Sequence, residues 1–425
     1  MEKIRLLVMT DISTLTADVG EPDDTQSMIR LLLYANHFEI EGLLATYSVH
    51  CKNAVRTEYL EALVRKYGRV QKNLAMHSAG YPAAEELLRV IKGGLPACGM
   101  ERVGEQGDTE ASDRIIRAVD RPDPRPLWLI AWGGMLDLAQ ALWRVRSTRD
   151  GAAFRRFCAK LRVYTVGDQY DTAGPWIRAN CPELFYITSY SAVRGMYKGG
   201  DAALVSPAWV AQQINTGHGP LGDAYPNYDG GDCWGRVRGI KEGDTASLLY
   251  LIPNGLGNPE NPDWGSWGGR FAGENRRYTD AADTVLPGEN GAWATVWRWR
   301  ADYQNDFLAR LDWCVKGAAE ANHPPVAVVE GADERTVRPG ETITLTAERS
   351  FDPDGDALDF SWWIYREAGT CKALPLLAGA DTAALTLTVP ADAPRGTLHV
   401  LLTLRDRGTP PLRAYHRTVL AVAEK

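Results

Sequence analysis

"KIRLLVMTDISTLTADVGEPDDTQSMIRLLLYANHFEIEGLLATYS", residues 3–48, contains two short apolar runs on either side of a stretch with helical spacing. The first run, KIRLLVMTD, has the continuous apolar character of a buried strand that ends at Asp11, and IEGLLATYS repeats that character. Between them, TQSMIRLLLYANHF carries its apolar residues at helical spacing. A strand, a helix and a second strand in this order predict a βαβ unit with parallel strands.

The same alternation continues to about residue 168. Helical patterns occur at AVRTEYLEALVRKYG, DTEASDRIIRAVD and MLDLAQALWRVRS, and strand patterns occur at PLWLIAWGG and LRVYTVGD. We therefore predict an α/β domain with a mainly parallel sheet flanked by helices. Ligands of such sheets bind at the carboxyl ends of the strands. Those ends hold Asp11, Ser48, Gly133, Gly134, Gly167 and Asp168.

A second, all-β domain is predicted after the proline pair at 324–325. Strand patterns such as ETITLTAERS, AALTLTVP and TLHVLLTLRD follow one another with turn signals between them, which favours an immunoglobulin-like sandwich. SFDPDGDALDFSWWIY resembles modules of the polycystic-kidney-disease and cadherin type. Its DPDGD turn suits either calcium or a simple acidic hairpin turn, and we favour the turn. The predicted domains are residues 1–322 and 323–425.

Composition and charge exclude several classes of function. The chain has 425 residues and a formal net charge of -7 with no basic tract, so nucleic acid is not an expected partner. No apolar run is long enough to span a membrane. The segment MEKIRLLVMTD lacks the features of a secretory signal, which predicts a cytoplasmic protein as the sequence stands. The alternative is a secreted or periplasmic protein whose leader has been removed.

Cysteines and aromatic residues give weaker signals. The seven Cys contain no CxxC pair, which argues against a zinc or thioredoxin-type site and favours reduced thiols. The chain has 14 Trp and 17 Tyr, and these side chains combine a flat apolar face with a polar group. Sugar-binding clefts use that combination, although most of these residues are expected to pack in cores.

Four carboxylates stand where strands end or helices begin. Asp11 ends the first strand, Asp23 and Asp24 open the next helix, and Asp244 precedes the apolar run TASLLYL. A single Asp at a helix start is usually an N-cap. Four of them at one sheet edge suit a hard cation such as Ca²⁺, and the absence of His among them argues against zinc.

Two further segments are candidate substrate contacts. GDQYDTAGPWIRAN, residues 167–180, follows a strand and offers a dense polar set with a Trp. Its position at the sheet edge favours a functional role, and the alternative is a capped turn into a helix. DWGSWGGRF is a glycine-rich loop with two Trp, which suits a sugar platform or a loop anchored by buried indoles. Together these segments contribute the candidates Asp168, Gln169, Asp171, Trp176, Arg178, Trp264 and Trp267.

The opening segment resembles the nucleoside-hydrolase-like superfamily, and within it the cellulose-binding Sde182-like group. Further matching segments are PLWLIAWGGMLDLAQAL, VYTVGDQYDTAGPWIRANCPELFYI, GIKEGDTASLLYLIPNGL and NPDWGSWGGRF, and the C-terminal β-module is also typical of the group. The resemblance covers nearly the whole chain. It implies a Ca²⁺ site in which Asp24 is the main ligand, with Asp23 contacting the ion or a sugar hydroxyl. Asp244 would be the late ligand, and Leu136 would contribute its main-chain carbonyl.

The sequence departs from the superfamily motif in one important place. Nucleoside hydrolases carry two Asp where this chain has only Asp11, and the insertion STLTADVG separates it from the later pair. Asp11 is therefore either the catalytic base or a metal ligand, and Asp18 in the insertion is a further candidate.

The resemblance implies hydrolysis of a glycosyl bond. Ca²⁺ would hold two sugar hydroxyls and a water, and a carboxylate would take the proton of that water before it attacks the anomeric carbon. The predicted catalytic residues are Asp11, Asp23 and Asp168. Candidates for assisting the leaving group are Asp168, Asp171, Glu242, His50 and His218, and Glu242 is also counted among the substrate contacts.

Three functions are consistent with the sequence. The first is a Ca²⁺-dependent glycosidase acting on a furanose-containing O-glycoside or oligosaccharide. The second is a non-catalytic binding protein for a cellulose-like polysaccharide, and the third is a nucleoside N-ribohydrolase. The expected partner is thus a carbohydrate or nucleoside; the oligomeric state is left open, with a homodimer as one option.

Overall fold

The computed structural model describes residues 2–17, 20–48, 54–232, 235–286 and 289–424. Asp18 and His50, two of the candidates named above, lie outside the described residues. Within the described ranges, no helix is both long and apolar enough to cross a bilayer.

The N-terminal part is built on one large sheet. Its strands are β1 (Ile4–Thr10), β2 (Phe38–Ala45), β3 (Ile91–Gly93), β4 (Leu127–Ala131), β5 (Leu161–Val166), β6 (Phe185–Ser189), β9 (Phe271–Glu274) and β10 (Arg277–Asp280). Between β6 and β9 the hairpin of β7 (Tyr228–Asp232) and β8 (Gly235–Gly239) forms a separate small sheet.

The strand order of the large sheet locates its binding edge. The order is β3-β2-β1-β4-β5-β6-β10-β9, and every neighbouring pair is parallel except β10 with β9. The chain winds outward in one direction from β1 to β3 and in the other from β4 to β6. The topological switch point therefore lies between β1 and β4, where ligands of doubly wound sheets bind.

Helices cover both faces of this sheet. They are α1 (Asp23–Leu33), α2 (Thr57–Gly68), α3 (Gln71–His77), α4 (Ala84–Arg89), α5 (Glu110–Asp120), α6 (Leu136–Thr148), α7 (Gly151–Lys160), α8 (Ala173–Asn180), α9 (Pro207–Trp209), α10 (Gly219–Gly222), α11 (Thr245–Leu249), α12 (Ala294–Trp297) and α13 (Arg300–Asp312). In β1, Leu6 and Val8 pack in the core with α1, whereas Leu7 and Met9 pack in the core with α5 and α6. A strand that is buried on both faces has no polar alternation, which is why the sequence of β1 is continuously apolar.

The remaining strands form antiparallel hairpins and a sandwich. They are β11 (Asp283–Leu286), β12 (Glu289–Gly291), β13 (Glu334–Val337), β14 (Thr342–Thr346), β15 (Leu358–Ile364), β16 (Leu376–Ala378), β17 (Ala384–Thr388), β18 (Gly396–Asp406) and β19 (Arg413–Val422). The sheets β13-β19-β18-β15 and β14-β17-β16 enclose a core that includes Trp362, Leu387 and Leu402. The predicted fold class, an α/β domain followed by a β-sandwich, is confirmed.

The two parts of the molecule meet along β19. Tyr415 accepts a hydrogen bond from Trp267 Nε1 at 3.1 Å, and its main-chain nitrogen donates to Asn254. Arg417 donates to the carbonyl of Leu256 at 2.6 Å. The sandwich is thus packed against the loop that follows α11 rather than tethered by a free linker.

Candidate metal centre

Three carboxylates converge at the carboxyl edge of the large sheet. Asp23, Asp24 and Asp244 each place a carboxylate oxygen so that all three oxygens lie within 4.8 Å of one another. Asp24 and Asp244 are 6% and 3% exposed. Oxygen atoms from three carboxylates at this separation form a ligand set for a hard divalent cation.

Asp11 adjoins these carboxylates from the end of β1. Ser48, which follows β2, donates a hydrogen bond from its Oγ to Asp11 Oδ2, and Thr10 donates in the same way to Asp24 Oδ1. Burial and then the negative charge of Asp11 raise the pKa of Asp24 well above its usual value, so the two groups are close neighbours. Burial is also the largest cause that raises the pKa of Asp11, to about 7.

The other two members of the cluster show the same electrostatic pattern. Burial raises the pKa of Asp244 well above its usual value, and the charges of Asp24, Asp23 and Asp11 raise it further. Burial likewise raises the pKa of Asp23, and Lys241 opposes that shift. Buried carboxylates that repel one another are poorly stabilised as anions, and a cation among them removes that cost.

Local structure explains how distant parts of the chain reach this point. Asp23 and Asp24 are the first residues of α1, and Asp244 immediately precedes α11. Thr245 Oγ1 donates to Ser27 Oγ at 2.9 Å, which ties the starts of these two helices together. The carboxylate of Asp244 makes no capping hydrogen bond to α11, so capping does not explain that residue.

The loop after β4 closes the edge from the other side of the switch point. Trp132 and Gly133 donate main-chain hydrogen bonds to Met9 of β1. A side chain at Gly134 would meet the carbonyl oxygen of Tyr47, so glycine is required for this close approach. Leu136 opens α6 directly after this loop, at the same edge as the carboxylates, and its role as a carbonyl ligand remains a prediction.

One cation of the chain already stands beside the cluster. Lys241 Nζ lies 2.6 Å from Glu21 Oε1 and 3.9 Å from Asp23 Oδ2. Its side chain is 5% exposed. Lys241 precedes Asp244 by three residues, and this spacing is visible in the sequence. The contact of Lys241 with the GEPDD segment, residues 20–24, is not visible there.

In the segment after β5, some polar side chains are bonded to neighbours within the fold and one carboxylate oxygen is not. Asp168 is 2% exposed, accepts from Tyr186 at 2.7 Å and forms an ion pair with Arg178. This carboxylate therefore joins β5, β6 and α8, which does not fit the predicted catalytic role. Gln169 Nε2 donates to the carbonyl of Trp132 in the loop after β4. Asp168 and Gln169 have φ of 51° and 50°, a left-handed conformation that costs free energy and is frequent at functional sites.

Asp171 is the carboxylate of this segment that makes fewer contacts with charged neighbours. Its Oδ1 accepts from the main-chain nitrogen of Gly99 at 2.9 Å, while its buried Oδ2 has no hydrogen-bond partner in the described chain. Cys98 lies beside it: burial, Asp171 and Asp11 together raise the pKa of the Cys98 thiol to about 11. Asp171 and Asp11 thus both lie near enough to Cys98 for their charges to act on its thiol. Trp176 packs instead among the helices on the far side of the sheet.

Two other candidates for the leaving group are held elsewhere. Glu242 is 0% exposed; it forms an ion pair with Arg30 at 2.6 Å and accepts from Tyr225. His218 Nε2 lies 3.3 Å from Asp312 Oδ1 at the end of α13. Both predicted roles conflict with these placements, because the functional groups are occupied by neighbours within the fold.

The two Trp of the DWGSWGGRF loop lie at the junction with the sandwich. Trp267 is 1% exposed and bonds to Tyr415, and Trp264 packs edge to face against His399 at 5.3 Å. Trp264 lines a cavity of about 750 Å³ together with Lys3 and Ile4, at the opposite end of β1 from Asp11. Of the two alternatives given for this loop, these contacts favour the anchor of buried indoles, here one that joins the loop to the sandwich.

Comparisons with known proteins agree with this architecture. The family model described as cellulose-binding Sde182, nucleoside hydrolase-like domain, matches residues 5–271. The model for the C-terminal domain of the cellulose-binding protein Sde0182 matches residues 342–422. No curated protein matches the chain.

A solved structure gives the same relationship over the full length. It is that of a nucleoside hydrolase-related hypothetical protein from Saccharophagus degradans that is associated with carbohydrate metabolism. The sequences are 33% identical, and the match has a TM-score of 0.85 and covers 99% of this chain and 100% of the other. Because a family model and a full-length relative agree, the chain belongs to the cellulose-binding Sde182 family with its nucleoside hydrolase-like domain.

Proposed function

We propose that this protein is a Ca²⁺-dependent hydrolase of a glycosyl bond, and that its substrate is a furanose-containing O-glycoside or oligosaccharide. The observation that supports this proposal is the meeting of Asp23, Asp24 and Asp244 within 4.8 Å at the switch point of the sheet, beside Asp11. The donor set fits the ion, since it consists of carboxylate oxygens with no nitrogen or sulfur ligand.

The ion and the residues have separate tasks in this proposal. Ca²⁺ bound to the three carboxylates would orient sugar hydroxyls and make a nearby water more acidic. Asp11 lies outside the group of three and takes the proton of the attacking water as general base, with Ser48 fixing its orientation. The surrounding negative charge stabilises the positive charge that develops on the sugar ring in the transition state.

Asp171 is the proposed contact to the leaving group. Its Oδ2 has no hydrogen-bond partner within the described residues, and its charge, like that of Asp11, acts on Cys98. Asp168 holds Arg178 in place and acts on the shape of this loop rather than on the substrate. In this division of roles, the base Asp11 lies at the end of β1, and the leaving group is contacted by Asp171 from the segment after β5.

The test begins with calorimetric titration of chelator-treated protein with Ca²⁺. We expect binding at one site that is lost in Asp24→Ala and retained in Asp392→Ala, a matched change at an exposed carboxylate of the sandwich. Turnover is then measured on 4-nitrophenyl arabinofuranoside and ribofuranoside and on nucleosides. Absence of Ca²⁺ binding in the wild-type protein would refute the proposal.

A non-catalytic carbohydrate-binding protein is the second candidate function. It is favoured by the description of both matching family models as cellulose-binding. Lys241 also supports it, because a cation beside Asp23 partly neutralises the cluster without Ca²⁺. Saccharide binding without turnover of any furanoside or nucleoside, in protein that binds Ca²⁺, would establish this second function. Turnover of nucleosides alone would identify a nucleoside N-ribohydrolase.

A further inference from the structure

A second cavity lies between the α12–α13 region and the sandwich. It has a volume of about 370 Å³, within the range of small-molecule sites. We call it the junction cavity and define it by six of its lining residues: Arg298, Trp299, Asp359, Trp363, Arg405 and Arg413. None of the predicted site residues lines it.

Two indoles form one wall of the junction cavity. The rings of Trp299 and Trp363 have their centroids 6.0 Å apart and are inclined at 41°. Trp363 Nε1 donates to Thr403 Oγ1 at 3.1 Å, and the Arg298 guanidinium lies 4.9 Å from the Trp299 ring. These contacts hold the ring planes in place, so an aromatic surface is present before any ligand arrives.

Trp299 also presents an unused donor. The residue is 5% exposed, and its Nε1 has no hydrogen-bond partner in the described part of the chain. A buried indole N–H without an acceptor is uncommon in folded proteins and carries a desolvation cost. A ligand hydroxyl in the cavity that Trp299 lines would provide that acceptor.

Each charged group that lines the cavity has a partner of opposite charge, and the partner of Arg298, Asp283, lies outside the lining. Arg298 bonds to Asp283 at 2.7 Å, Arg413 pairs with Asp302, and Arg405 lies 4.0 Å from Asp359. A wall of paired charges has little net attraction for an anion, yet it offers many donors and acceptors to hydroxyl groups. Aromatic planes together with such polar groups suit neutral sugars, whose C–H faces pack on indoles while their hydroxyls form hydrogen bonds.

We propose that the junction cavity is a binding site for a neutral pyranose chain, separate from the carboxylate cluster and independent of catalysis there. A sugar unit would pack against the half-buried Trp363 ring, and one of its hydroxyls would accept the Trp299 N–H. The adjoining Asp359 and Arg405 would bond to the outer hydroxyls. The site joins the sandwich to the α/β part, which gives the C-terminal strands a role beyond packing.

The test is titration of the full-length protein with cellohexaose, and with trigalacturonate as an anionic probe. Trp363→Ala is expected to weaken cellohexaose binding by about tenfold or more, and Trp299→Phe, which keeps a ring but removes the N–H, by a smaller factor. Trp293→Ala, a change at an exposed Trp outside the cavity, should leave the affinity unchanged. Thermal melts establish that each variant is folded. If Trp299→Phe does not fold, Arg405→Ala at the exposed rim provides a second variant.

The remaining outcomes overturn the proposal. No binding of cellohexaose to the wild-type protein would do so, as would tighter binding of trigalacturonate than of cellohexaose. Binding that survives in folded Trp363→Ala and Arg405→Ala but disappears in Asp24→Ala would assign the sugar to the carboxylate cluster instead. Failure of the Ca²⁺ titration alone would leave this proposal standing, since none of the cavity residues belongs to the cluster.

Discussion

Lys241 Nζ lies 3.9 Å from Asp23 Oδ2, so a buried positive charge stands beside the three carboxylates proposed to hold Ca²⁺. The ammonium group stabilises the carboxylates when the ion is absent and repels the ion when it arrives. The balance between these two effects sets the affinity of the site. The Ca²⁺ affinity therefore distinguishes two kinds of site: one that needs a divalent cation, and one whose negative charge Lys241 already neutralises.

Lys241→Gln is expected to raise the affinity for Ca²⁺ by roughly tenfold, because repulsion between like charges is removed at short range. Calorimetric titration at fixed ionic strength measures the change. Lys316→Gln, at a half-exposed Lys paired with Asp312, is the matched control and should have no effect. An affinity that falls in Lys241→Gln would mean that Lys241 organises the ligands rather than competing with the ion.

Asp244→Asn tests whether the cluster exists for binding or for folding. With chelator present, the variant should melt at the same temperature as the wild-type protein or above it, because one of several repelling buried carboxylates is gone. With Ca²⁺ added, only the wild-type protein should be stabilised, since an ion that binds the native state raises its melting temperature. A variant that unfolds in chelator while the wild type stays folded would assign Asp244 a structural role.

Ser48→Ala should reduce turnover without changing the affinity for Ca²⁺. Ser48 Oγ holds Asp11 Oδ2, and Asp11 lies outside the group of three ligands. Loss of that hydrogen bond leaves the base less well oriented, and we expect kcat to fall by roughly 10- to 100-fold. Parallel measurement of kcat and of Ca²⁺ affinity separates the two roles. A comparable loss of affinity would show that Asp11 is itself a ligand.

The fold and part of the grouping of the carboxylates could be predicted because both depend on local signals. Strands such as β1 that are buried on both faces are continuously apolar, and parallel strands bring their carboxyl ends to one edge wherever the chain returns. Asp11 and Asp24, which follow β1, could therefore be placed at that edge without knowledge of the tertiary contacts. Asp244 follows no strand of the large sheet, so this rule does not place it.

The remaining errors involve pairing over long distances. Glu242 meets Arg30 across 212 residues, and Trp267 meets Tyr415 across 148. Neither partner carries a local signal that distinguishes an engaged side chain from a free one. The strands β9 and β10 are not predicted for a related reason: both are short and polar, so propensity and periodicity are weak in them, and β9 is the edge strand of the sheet.

Glu242→Gln should destabilise the fold and leave Ca²⁺ affinity nearly unchanged. Glu242 and Arg30 are both fully buried and lie 2.6 Å apart, so removal of one charge leaves the other without compensation. Loss of one partner of a buried pair costs about 3–5 kcal/mol. Urea unfolding in the presence of chelator measures this cost. A stable variant with impaired turnover would restore Glu242 as a substrate contact.

His399→Asn should flatten the dependence of stability on pH between 7 and 5. His399 is 2% exposed, and its Nδ1 accepts from Arg417 at 2.8 Å. Burial, with the charges of Arg417 and Lys372, lowers its pKa from 6.5 to about 3. Above pH 6.5 the imidazole is neutral in the folded and unfolded chain alike. Below that pH the unfolded chain gains a proton that the folded chain excludes until about pH 3, so the free energy of unfolding falls.

The size of this effect follows from the linkage between protonation and folding. At pH 5 the loss attributable to His399 is about 2 kcal/mol, since each pH unit between the two pKa values contributes about 1.4 kcal/mol. Asn at this position keeps an acceptor for Arg417 and cannot titrate. Urea unfolding of both proteins at pH 7 and pH 5 isolates the difference, because every other titrating group is common to both. Equal losses in the two proteins would show that His399 is protonated in the folded state, and that the junction between β19 and the loop carrying Trp264 opens to water before the chain unfolds.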